Sequence, residues 1–385
     1  MTNSSIKKYQ SRKVLGFEDA IYCGKYTQDG RLYCVATQGF SVDVYGVDGF
    51  SGLHHRKSIS ARLGRWTLTD LDVSPDNKFV VFSTIDSTLQ LASTDPEEDD
   101  STIQLLNLNL SHSSINSMPS FDGFGVWTTR FVNGGKRLIA GTNYNLVYVY
   151  DIESKAVIDI LRGHKDDVNA VSLIGANDNV ICSGSDDTKI KVWDLRKRGN
   201  VPEPVGVFNG HTEGITYLAP KGDDRYILSN SKDQKMKLWD IRNLATNETN
   251  DESEKIDFGL EWDYRWELYP VDPNQIQSSF DNSIMSYIGH CVDVTLIRCG
   301  FSPPLSGSQY VYSGSSDGKI YVYNLLGELV SAMKSDVFLE SGYGSSSQML
   351  FRDVSWHPYL PVVMGSYLCM DHTERGGVLR FDYSV

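Results

Sequence analysis

The chain has 385 residues and carries 36 lysines and arginines against 49 aspartates and glutamates, which gives a formal net charge of −13. This acidic balance argues against a nucleic-acid binder, and a hydrophobic fraction of 40% is enough for a large core. The polar start and the absence of any run of roughly 18 apolar residues predict no export signal and no membrane contact, and therefore a cytoplasmic or nuclear protein.

The N-terminal half contains a weak repeat, which is recognised only by comparison with clearer copies further along the chain. Its candidate aromatic or equivalent positions fall at Tyr45, Ala92 and Tyr150. The stretch 93–102, STDPEEDDST, is acidic, contains proline and has almost nothing to bury. It is therefore predicted to be a surface insertion.

Three ungapped copies of one pattern follow, and each is preceded by a Gly-His pair. They are SGSDDTKIKVWDLR, SNSKDQKMKLWDIR and SGSSDGKIYVYNLL, each with a serine ten residues and an aspartate six residues before an aromatic residue. Polar and apolar side chains alternate between the aspartate and the aromatic residue, which is the period of a β-strand. The three sets are His164, Ser183, Asp187 and Trp193; His211, Ser229, Asp233 and Trp239; and His290, Ser313, Asp317 and Tyr323.

A long insertion separates the second and third copies, and we place it at residues 243–285. Its first part is polar and is predicted to be a solvated loop, although a partner-binding arm is the alternative. The run WDYRWELYP that follows is rich in aromatic residues and contains an arginine. This composition is typical of a packed or exposed contact element.

The last repeat ends near Phe381 and brings the number of aromatic or equivalent positions to seven, which predicts seven sheets. A ring of sheets is closed when both chain ends share one sheet, because closure removes exposed strand edges. We therefore predict that residues 1–14 form the closing strand and that residues 15–385 form the ring.

The Gly-His opening and the Trp-Asp ending resemble the WD40 repeat family, whose blades recur every 40 to 45 residues or so. The resemblance implies an all-β fold, a seven-bladed WD40 β-propeller closed by an N-terminal strand that pairs with the C-terminal blade. It also implies that the His, Ser, Asp and aromatic sets are structural hydrogen-bond networks. Repetition at a fixed offset agrees with that interpretation, because a catalytic triad occurs once per active site.

No motif in the sequence specifies a reaction, a metal or a cofactor. The chain contains neither a GxxxxGK phosphate loop nor a GxGxxG motif. Cys369, Asp371 and His372 are clustered, but a fourth zinc ligand at suitable spacing is missing, so a hairpin loop is the preferred interpretation. We expect a protein without catalytic activity, resident metal or cofactor.

Two successive repeats end in Trp-Asp-x-Arg, with Asp194 and Arg196 in one and Asp240 and Arg242 in the next. This double box resembles that of WD40 substrate receptors that dock onto the DDB adaptor of the cullin-4 RING ubiquitin ligase. The runs WDYRW and TLIRC look like those of the factor-eleven group of these receptors, and plant LEC-type WD-repeat proteins are similar. The resemblance implies that these four residues bind the adaptor.

The same resemblance implies that the protein recruits a protein substrate or degron peptide for ubiquitination and proteasomal degradation. Two alternatives remain open: the arginines could simply bridge to neighbouring aspartates, and the chain could be a scaffold subunit of another complex. Residues near predicted strand starts form a candidate partner face, and the acidic surface favours a basic or polar peptide. These residues are Arg130, Arg298, Arg352, Trp66, Trp127 and Trp356.

Overall fold

The predicted seven-bladed β-propeller is confirmed by the computed structural model of the chain. The structure describes residues 9–49, 52–108, 124–175, 179–197, 202–245, 262–276, 278–335, 349–369 and 375–383. These residues form seven antiparallel sheets of four strands each. The first strands of neighbouring sheets contact one another, so they line a central channel, and the other strands extend outward from it.

The strands fall into four ranks from the channel outward. The inner rank is β2 (Ile21–Tyr26), β6 (Leu68–Val73), β10 (Val126–Val132), β14 (Val168–Leu173), β18 (Ile215–Pro220), β22 (Cys299–Phe301) and β26 (Met349–Trp356). The second rank is β3 (Leu32–Thr37), β7 (Phe79–Thr84), β11 (Arg137–Thr142), β15 (Val180–Ser185), β19 (Tyr226–Ser231), β23 (Tyr310–Ser313) and β27 (Val362–Cys369). The third rank is β4 (Ser41–Val47), β8 (Thr88–Ser93), β12 (Leu146–Asp151), β16 (Ile190–Asp194), β20 (Lys235–Asp240), β24 (Lys319–Asn324) and β28 (Gly376–Tyr383).

The outer rank is β5 (Leu53–Ser60), β9 (Gln104–Asn107), β13 (Ala156–Arg162), β17 (Gly206–Phe208), β21 (Met285–Ile288), β25 (Leu329–Lys334) and, in the last sheet, β1 (Tyr9–Phe17). We number the blades 1 to 7 by their inner strands from β2 to β26. Single turns of 3-10 helix occur at Asp100–Thr102, Asn133–Gly135, Ile241–Asn243, Pro273–Gln275 and Pro304–Ser306.

Apolar clusters fill each gap between neighbouring blades among the described residues. Between blades 4 and 5, for example, Val192 and Phe208 pack with Leu218 and Trp239. Because each sheet packs against a neighbour on both sides, the middle strands are buried along most of their length. Fully burying one such side chain contributes about 1.5–3 kcal/mol, so the blades stabilise one another in sequence around the ring.

The ring is closed by the N-terminal strand. β1 pairs antiparallel with β28, from Tyr9 opposite Tyr383 to Phe17 opposite Gly376. The strand begins inside the predicted segment 1–14 but continues to Phe17, and residues 1–8 lie outside the described residues. This pairing covers the edge that blade 7 would otherwise expose.

A β-bulge recurs near the start of the inner strand in six blades. In each of these strands one residue is skipped in the pairing with the second strand, as between Ile21 and Cys23. A bulge leaves the extra residue unpaired and re-aims its side chain. The bulged residues are Tyr22, Thr69, Trp127, Asn169, Thr216 and Arg352.

The two ends of the channel are formed by different loops. We call the end at which the inner strands begin the mouth face and the opposite end the far face. Because successive strands of a blade are antiparallel, third-rank strands end on the far face. The acidic segment 93–102 therefore leaves β8 on the far face, with residues 95–99 exposed. The long insertion between β20 and β21 reaches the mouth face, where the Val294 amide donates to the Tyr264 carbonyl (2.7 Å).

Candidate protein-interaction sites on the two faces

The two box arginines occupy equivalent positions on the far face of blades 4 and 5. Arg196 follows β16, and its Nε and Nη2 donate to the two carboxylate oxygens of Asp194 (2.9 and 2.7 Å). Arg242 follows β20 and makes the same fork with Asp240 (Nε to Oδ1 3.1 Å, Nη2 to Oδ2 2.7 Å). The side chains of Arg196 and Arg242 are 58% and 65% exposed. Each guanidinium is therefore braced by an aspartate along one edge and exposed to solvent along the other.

The neighbouring blades carry different residues at the position of these arginines. Blade 3 ends in Tyr150-Asp151 and has Glu153 there, and blade 6 has Leu326, which is exposed. Within blade 5, Asp240 also accepts from Arg225 (Nη2 to Oδ2 2.9 Å). Among blades 3 to 6, therefore, only blades 4 and 5 carry an arginine at this position. Glu153 of blade 3 and Leu326 of blade 6 flank the pair.

The predicted structural sets of blades 4 and 5 lie in the same geometry inside their blades. In blade 5, His211 Nδ1 lies 2.8 Å from Asp233 Oδ2, and His211 Nε2 lies 2.7 Å from Ser229 Oγ. The Trp239 indole donates to the same Oγ (2.8 Å). Because an ionised carboxylate only accepts, Nδ1 carries a ring proton and donates to Asp233. In the neutral tautomer of the ring, the Ser229 hydroxyl then donates to Nε2.

Blade 4 repeats this chain with His164, Asp187, Ser183 and Trp193, at 2.8, 2.7 and 2.8 Å. Burial alone would raise the pKa of Asp187, but the adjacent His164 ring and two backbone amides lower this pKa to about 2. Both serines are fully buried. A substrate in solution therefore has no access to these hydroxyl groups.

Blade 6 keeps the histidine, serine and aspartate of the set but connects them differently. His290 Nε2 bonds to Asn230 Oδ1 of blade 5 (2.8 Å), and Asp317 accepts instead from Lys319 and Tyr321. Two substitutions account for the difference. Asn230 stands where the other copies have glycine, so its amide reaches His290, and Tyr323 has no indole N–H for Ser313 and donates to the Ile288 carbonyl (3.2 Å). Burial lowers the pKa of His290 to about 4.

Two residues of the predicted partner face, Arg130 and Arg298, instead close the channel. Arg298 donates to Asp70 (2.8 Å) and to Asp353 (3.1 Å), and Arg130 also pairs with Asp70. Both arginines lie beside the ring of Tyr217, at 5.0 and 5.5 Å from its centre. These side chains come from blades 2, 3, 5, 6 and 7, and all of them except the half-buried Tyr217 are buried. The interpretation of Arg130 and Arg298 as contact residues is therefore corrected, because their donors are engaged within the ring.

Above this buried cluster lies a cavity of about 370 Å³ that opens on the mouth face. Five of the six bulged residues line it, because the bulges turn their side chains toward the channel axis. Arg352, Trp66 and Trp127 of the predicted partner face meet here. Trp356 does not, because it ends β26 toward the far face and packs on Tyr312. The lining of the cavity includes Tyr22, Trp66, Trp127, Asp167, Tyr264 and Arg352.

Asp167 is the carboxylate of the cavity that forms no ion pair with a cation among the described residues. Its Oδ2 accepts from the Trp127 indole (3.0 Å). Burial raises the pKa of Asp167 to about 6. The indole hydrogen bond and the positive charge of Lys232 oppose this change, and the nearby Asp186 and Asp166 carboxylates reinforce it. Sequence analysis missed Asp167, because the equivalent position in blade 5 is Gly214 and the repeat pattern gives no signal there.

Tyr264 reaches the cavity from the aromatic run of the insertion. The Lys232 ammonium lies 4.2 Å from the centre of its ring. The residues on either side of Tyr264 form their own ion pair, Arg265 with Asp263. Trp266, which follows Arg265 in the chain, is 78% exposed. The run WDYRW therefore contributes a wall of the cavity and part of its rim.

The described residues contain no helix long and apolar enough to cross a bilayer. Nor do they bring together three His, Cys, Asp or Glu side chains in an arrangement that could hold a metal ion. Asp371 and His372 of the cluster considered above lie outside the described residues, while Cys369 is buried at the end of β27.

Comparison with known proteins agrees with the blade geometry. The family model for the WD domain, G-beta repeat, matches residues 155–194 and 202–240. The chain is 35% identical to the LEC14B protein of Lithospermum erythrorhizon, over 94% of this chain and 72% of that protein. It is 33% identical to a LEC14B homolog of Prunus armeniaca, over 90% of this chain and 70% of that protein. It is 30% identical to a DDB1- and CUL4-associated factor 11 homolog of Caenorhabditis elegans, over 91% of this chain and 59% of that protein.

Proposed function

Because the chain belongs to the LEC14B family of WD40-repeat proteins, we propose that it is a non-catalytic substrate receptor of a cullin-4 RING ubiquitin ligase. It docks onto the DDB1 adaptor through its far face and presents a target protein on its mouth face for ubiquitination and degradation. The observation that carries the proposal is the pair of exposed, braced guanidinium groups on adjacent blades. The similarity to DDB1- and CUL4-associated factor 11 homologues supports it.

Asp194 and Asp240 prepare the arginines for binding. A guanidinium has five N–H donors, and a forked ion pair with one carboxylate uses two of them. Neither Nη1 group has a hydrogen-bond partner among the described residues, so each arginine presents donors to an incoming carboxylate or carbonyl oxygen. Because the side chains are already held in place, adaptor binding loses less side-chain entropy.

A receptor of this kind increases the rate of ubiquitin transfer by proximity. The propeller supplies no reacting group: it holds the target near the catalytic components of the ligase. The buried positions of Ser183 and Ser229 support a structural role for the repeated His-Ser-Asp sets. Cytoplasm and nucleus are the compartments in which we expect the assembly.

The adaptor contact is tested by pull-down of DDB1 with the purified full chain. We expect the double variant Arg196→Ala, Arg242→Ala to recover at least tenfold less adaptor than wild type. Arg31→Ala is the matched control, because Arg31 is a highly exposed arginine in a far-face turn of blade 1. It should recover the wild-type amount. Equal recovery by wild type and the double variant would contradict docking through the box.

A scaffold role in another complex is the second candidate. It is favoured by the observation that each box arginine is already paired with the aspartate of its own blade. Native purification separates the two candidates: a stable complex without DDB1 and cullin components supports the scaffold, and their stoichiometric presence supports the receptor.

A further inference from the structure

We propose that the mouth-face cavity binds the cationic side chain of an arginine or lysine of the target, with the Asp167 carboxylate accepting its hydrogen bond. The inference deepens the proposed function, because it names the residue class by which a target would be held. It depends on the proposed function only for the statement that the ligand belongs to a target protein.

Most charged side chains that line the cavity form ion pairs with one another, and the two exceptions are Asp167 and Arg352. Lys232 Nζ donates to Asp186 Oδ1 (2.7 Å), which also accepts from Asn169 (2.8 Å). Arg265 is paired with Asp263 at the rim. Among the described residues, Asp167 has no cation within ion-pair distance, and its Oδ1 accepts no hydrogen bond. A carboxylate in a half-enclosed cavity is costly without a counter-charge, so a cationic ligand is strongly preferred there.

Aromatic rings line the same cavity as the carboxylate and suit a guanidinium or ammonium group. Trp127 fixes Asp167 Oδ2 through its indole N–H, and the rings of Tyr22, Trp66 and Tyr264 form further walls. Cations favour the faces of such rings. The cavity already shows this preference, because Lys232 lies over Tyr264 and the Arg352 guanidinium lies 5.1 Å from the centre of the Tyr22 ring.

Arg352 is the second unsatisfied charge, and it comes from blade 7, across the channel from blade 4. It is buried and has no carboxylate within ion-pair distance among the described residues. Its Nε donates to Thr295 (3.1 Å) and its Nη1 donates to the Tyr22 carbonyl, which leaves Nη2 without a partner there. We assign Nη2 to a carbonyl or carboxylate oxygen of the same ligand residue. One basic residue then satisfies both charges.

The shape of the cavity limits what enters it. The buried cluster around Arg298 and Asp70 closes the channel below, so a ligand enters from the mouth face only. A volume of about 370 Å³ is near the lower end of ligand pockets, roughly 300–1,000 Å³, which fits one side chain with its backbone. Trp66, which is 62% exposed, forms an apolar rim for the neighbouring residues of the ligand.

Two rim residues have backbone conformations that are rare for side chains of their size. Trp66 and Val294 have φ values of +71° and +72°. Such conformations persist where the surroundings hold them, and they cluster at binding sites. At Val294 the holding contact is the 2.7 Å hydrogen bond from its amide to the Tyr264 carbonyl. The loop before blade 6 is thereby tied to the insertion that forms the cavity wall.

The test is selection of a random peptide library on the purified full chain, without adaptor. We expect enrichment of arginine or lysine at one position. A synthetic copy of the enriched peptide should bind at least tenfold more tightly than the same peptide with citrulline or norleucine at that position. Peptides ending in a free carboxylate and in an amide then identify the oxygen that Arg352 binds, which is either a chain-end carboxylate or an internal carbonyl.

The variants make the test specific for the cavity. Asp167→Asn keeps an acceptor for the Trp127 indole but removes the charge, and it should lose at least tenfold in affinity. Trp66→Ala should weaken binding without affecting folding, because the side chain is exposed. Glu153→Gln is the matched control, because it removes one negative charge on the far face and should leave the affinity unchanged.

A pH profile gives an independent measurement. The groups that face Asp167 are Asp166, Asp186 and Lys232, and Asp263, Arg265 and Arg352 complete the charged lining. Because the pKa of Asp167 is raised to about 6 and cation binding requires its ionised form, affinity should fall roughly tenfold from pH 7.5 to pH 5. Asp167→Asn should show no such fall.

Three outcomes would overturn the proposal. One is a library without enriched peptides or without a basic position. Another is equal affinity for the citrulline peptide. The third is unchanged binding by Asp167→Asn. None of these results depends on DDB1, so they are distinguishable from a failure of adaptor docking.

Discussion

Two buried polar networks in this propeller are built on opposite principles. The His-Ser-Asp-Trp chain of blade 5 lies within one blade, joins residues at most 28 positions apart and recurs in blade 4. The Arg298 cluster occurs once, joins side chains from five blades and spans 228 positions between Arg298 and Asp70. The first network stabilises a repeated unit. The second ties the units to one another at the axis.

The comparison shows which positions are open to specialisation. Within a blade the chain of donors and acceptors fixes residue types, because a buried group that loses its partner costs free energy. At the channel each blade contributes a different residue, so the set as a whole, not the repeat, determines whether charges are satisfied. The cavity with Asp167 and Arg352 lies directly above this single-copy region.

The largest effect is expected when the channel cluster is broken. Arg298→Met leaves Asp353 without its ion pair and Asp70 with Arg130 alone, inside a buried site. Removing one partner of a buried ion pair costs about 3–5 kcal/mol, so the free energy of unfolding in denaturant should fall by about that amount. Arg298→Lys should give an intermediate loss, because an ammonium group cannot fork between two carboxylates as well.

The control for this variant is an arginine-aspartate pair at the surface. Arg225→Met removes a pair with Asp240 that Arg242 also maintains, and its unfolding midpoint should stay close to that of wild type. A similar small effect of Arg298→Met would show that the ring does not depend on the channel cluster.

A smaller effect should distinguish the regular blade from the irregular one. Ser229→Ala leaves the buried Trp239 N–H and the His211 ring without their shared partner, which should cost about 2–3 kcal/mol. The equivalent Ser313→Ala removes one acceptor from Asn230, whose amide still donates to the Ile297 carbonyl, so about 1 kcal/mol or less is expected. Denaturant unfolding of both variants measures the difference. Equal losses in the free energy of unfolding would mean that the two serines contribute equally to stability despite their different hydrogen bonds.

The same contrast explains what could be predicted from the sequence. The spacing of serine, aspartate and aromatic residue located third-rank strands in seven blades, because alternation and burial repeat with the fold. The cavity could not be found in this way. Its bulged residues are as different as Tyr22, Thr69 and Arg352, and Tyr264 comes from an insertion outside the repeat. Strand starts indicated both Trp127, which opens to the cavity, and Arg298, which is engaged below it, and the sequence could not distinguish the two positions.

The smallest effect on stability is expected at the far face, and it sharpens the contrast between structural and functional arginines. Removing Arg196 and Arg242 together deletes two exposed ion pairs and leaves Asp194 and Asp240 with other hydrogen bonds, from the backbone amides of residues 196 and 242 and, for Asp240, from Arg225. The thermal midpoint of Arg196→Ala, Arg242→Ala should therefore equal that of wild type within error, because exposed pairs contribute little. Differential scanning calorimetry checks this, and a clear drop would place the two arginines with Arg298 as structural residues. With the midpoint unchanged, a loss of DDB1 recovery by the same variant is attributable to the missing guanidinium groups and not to unfolding.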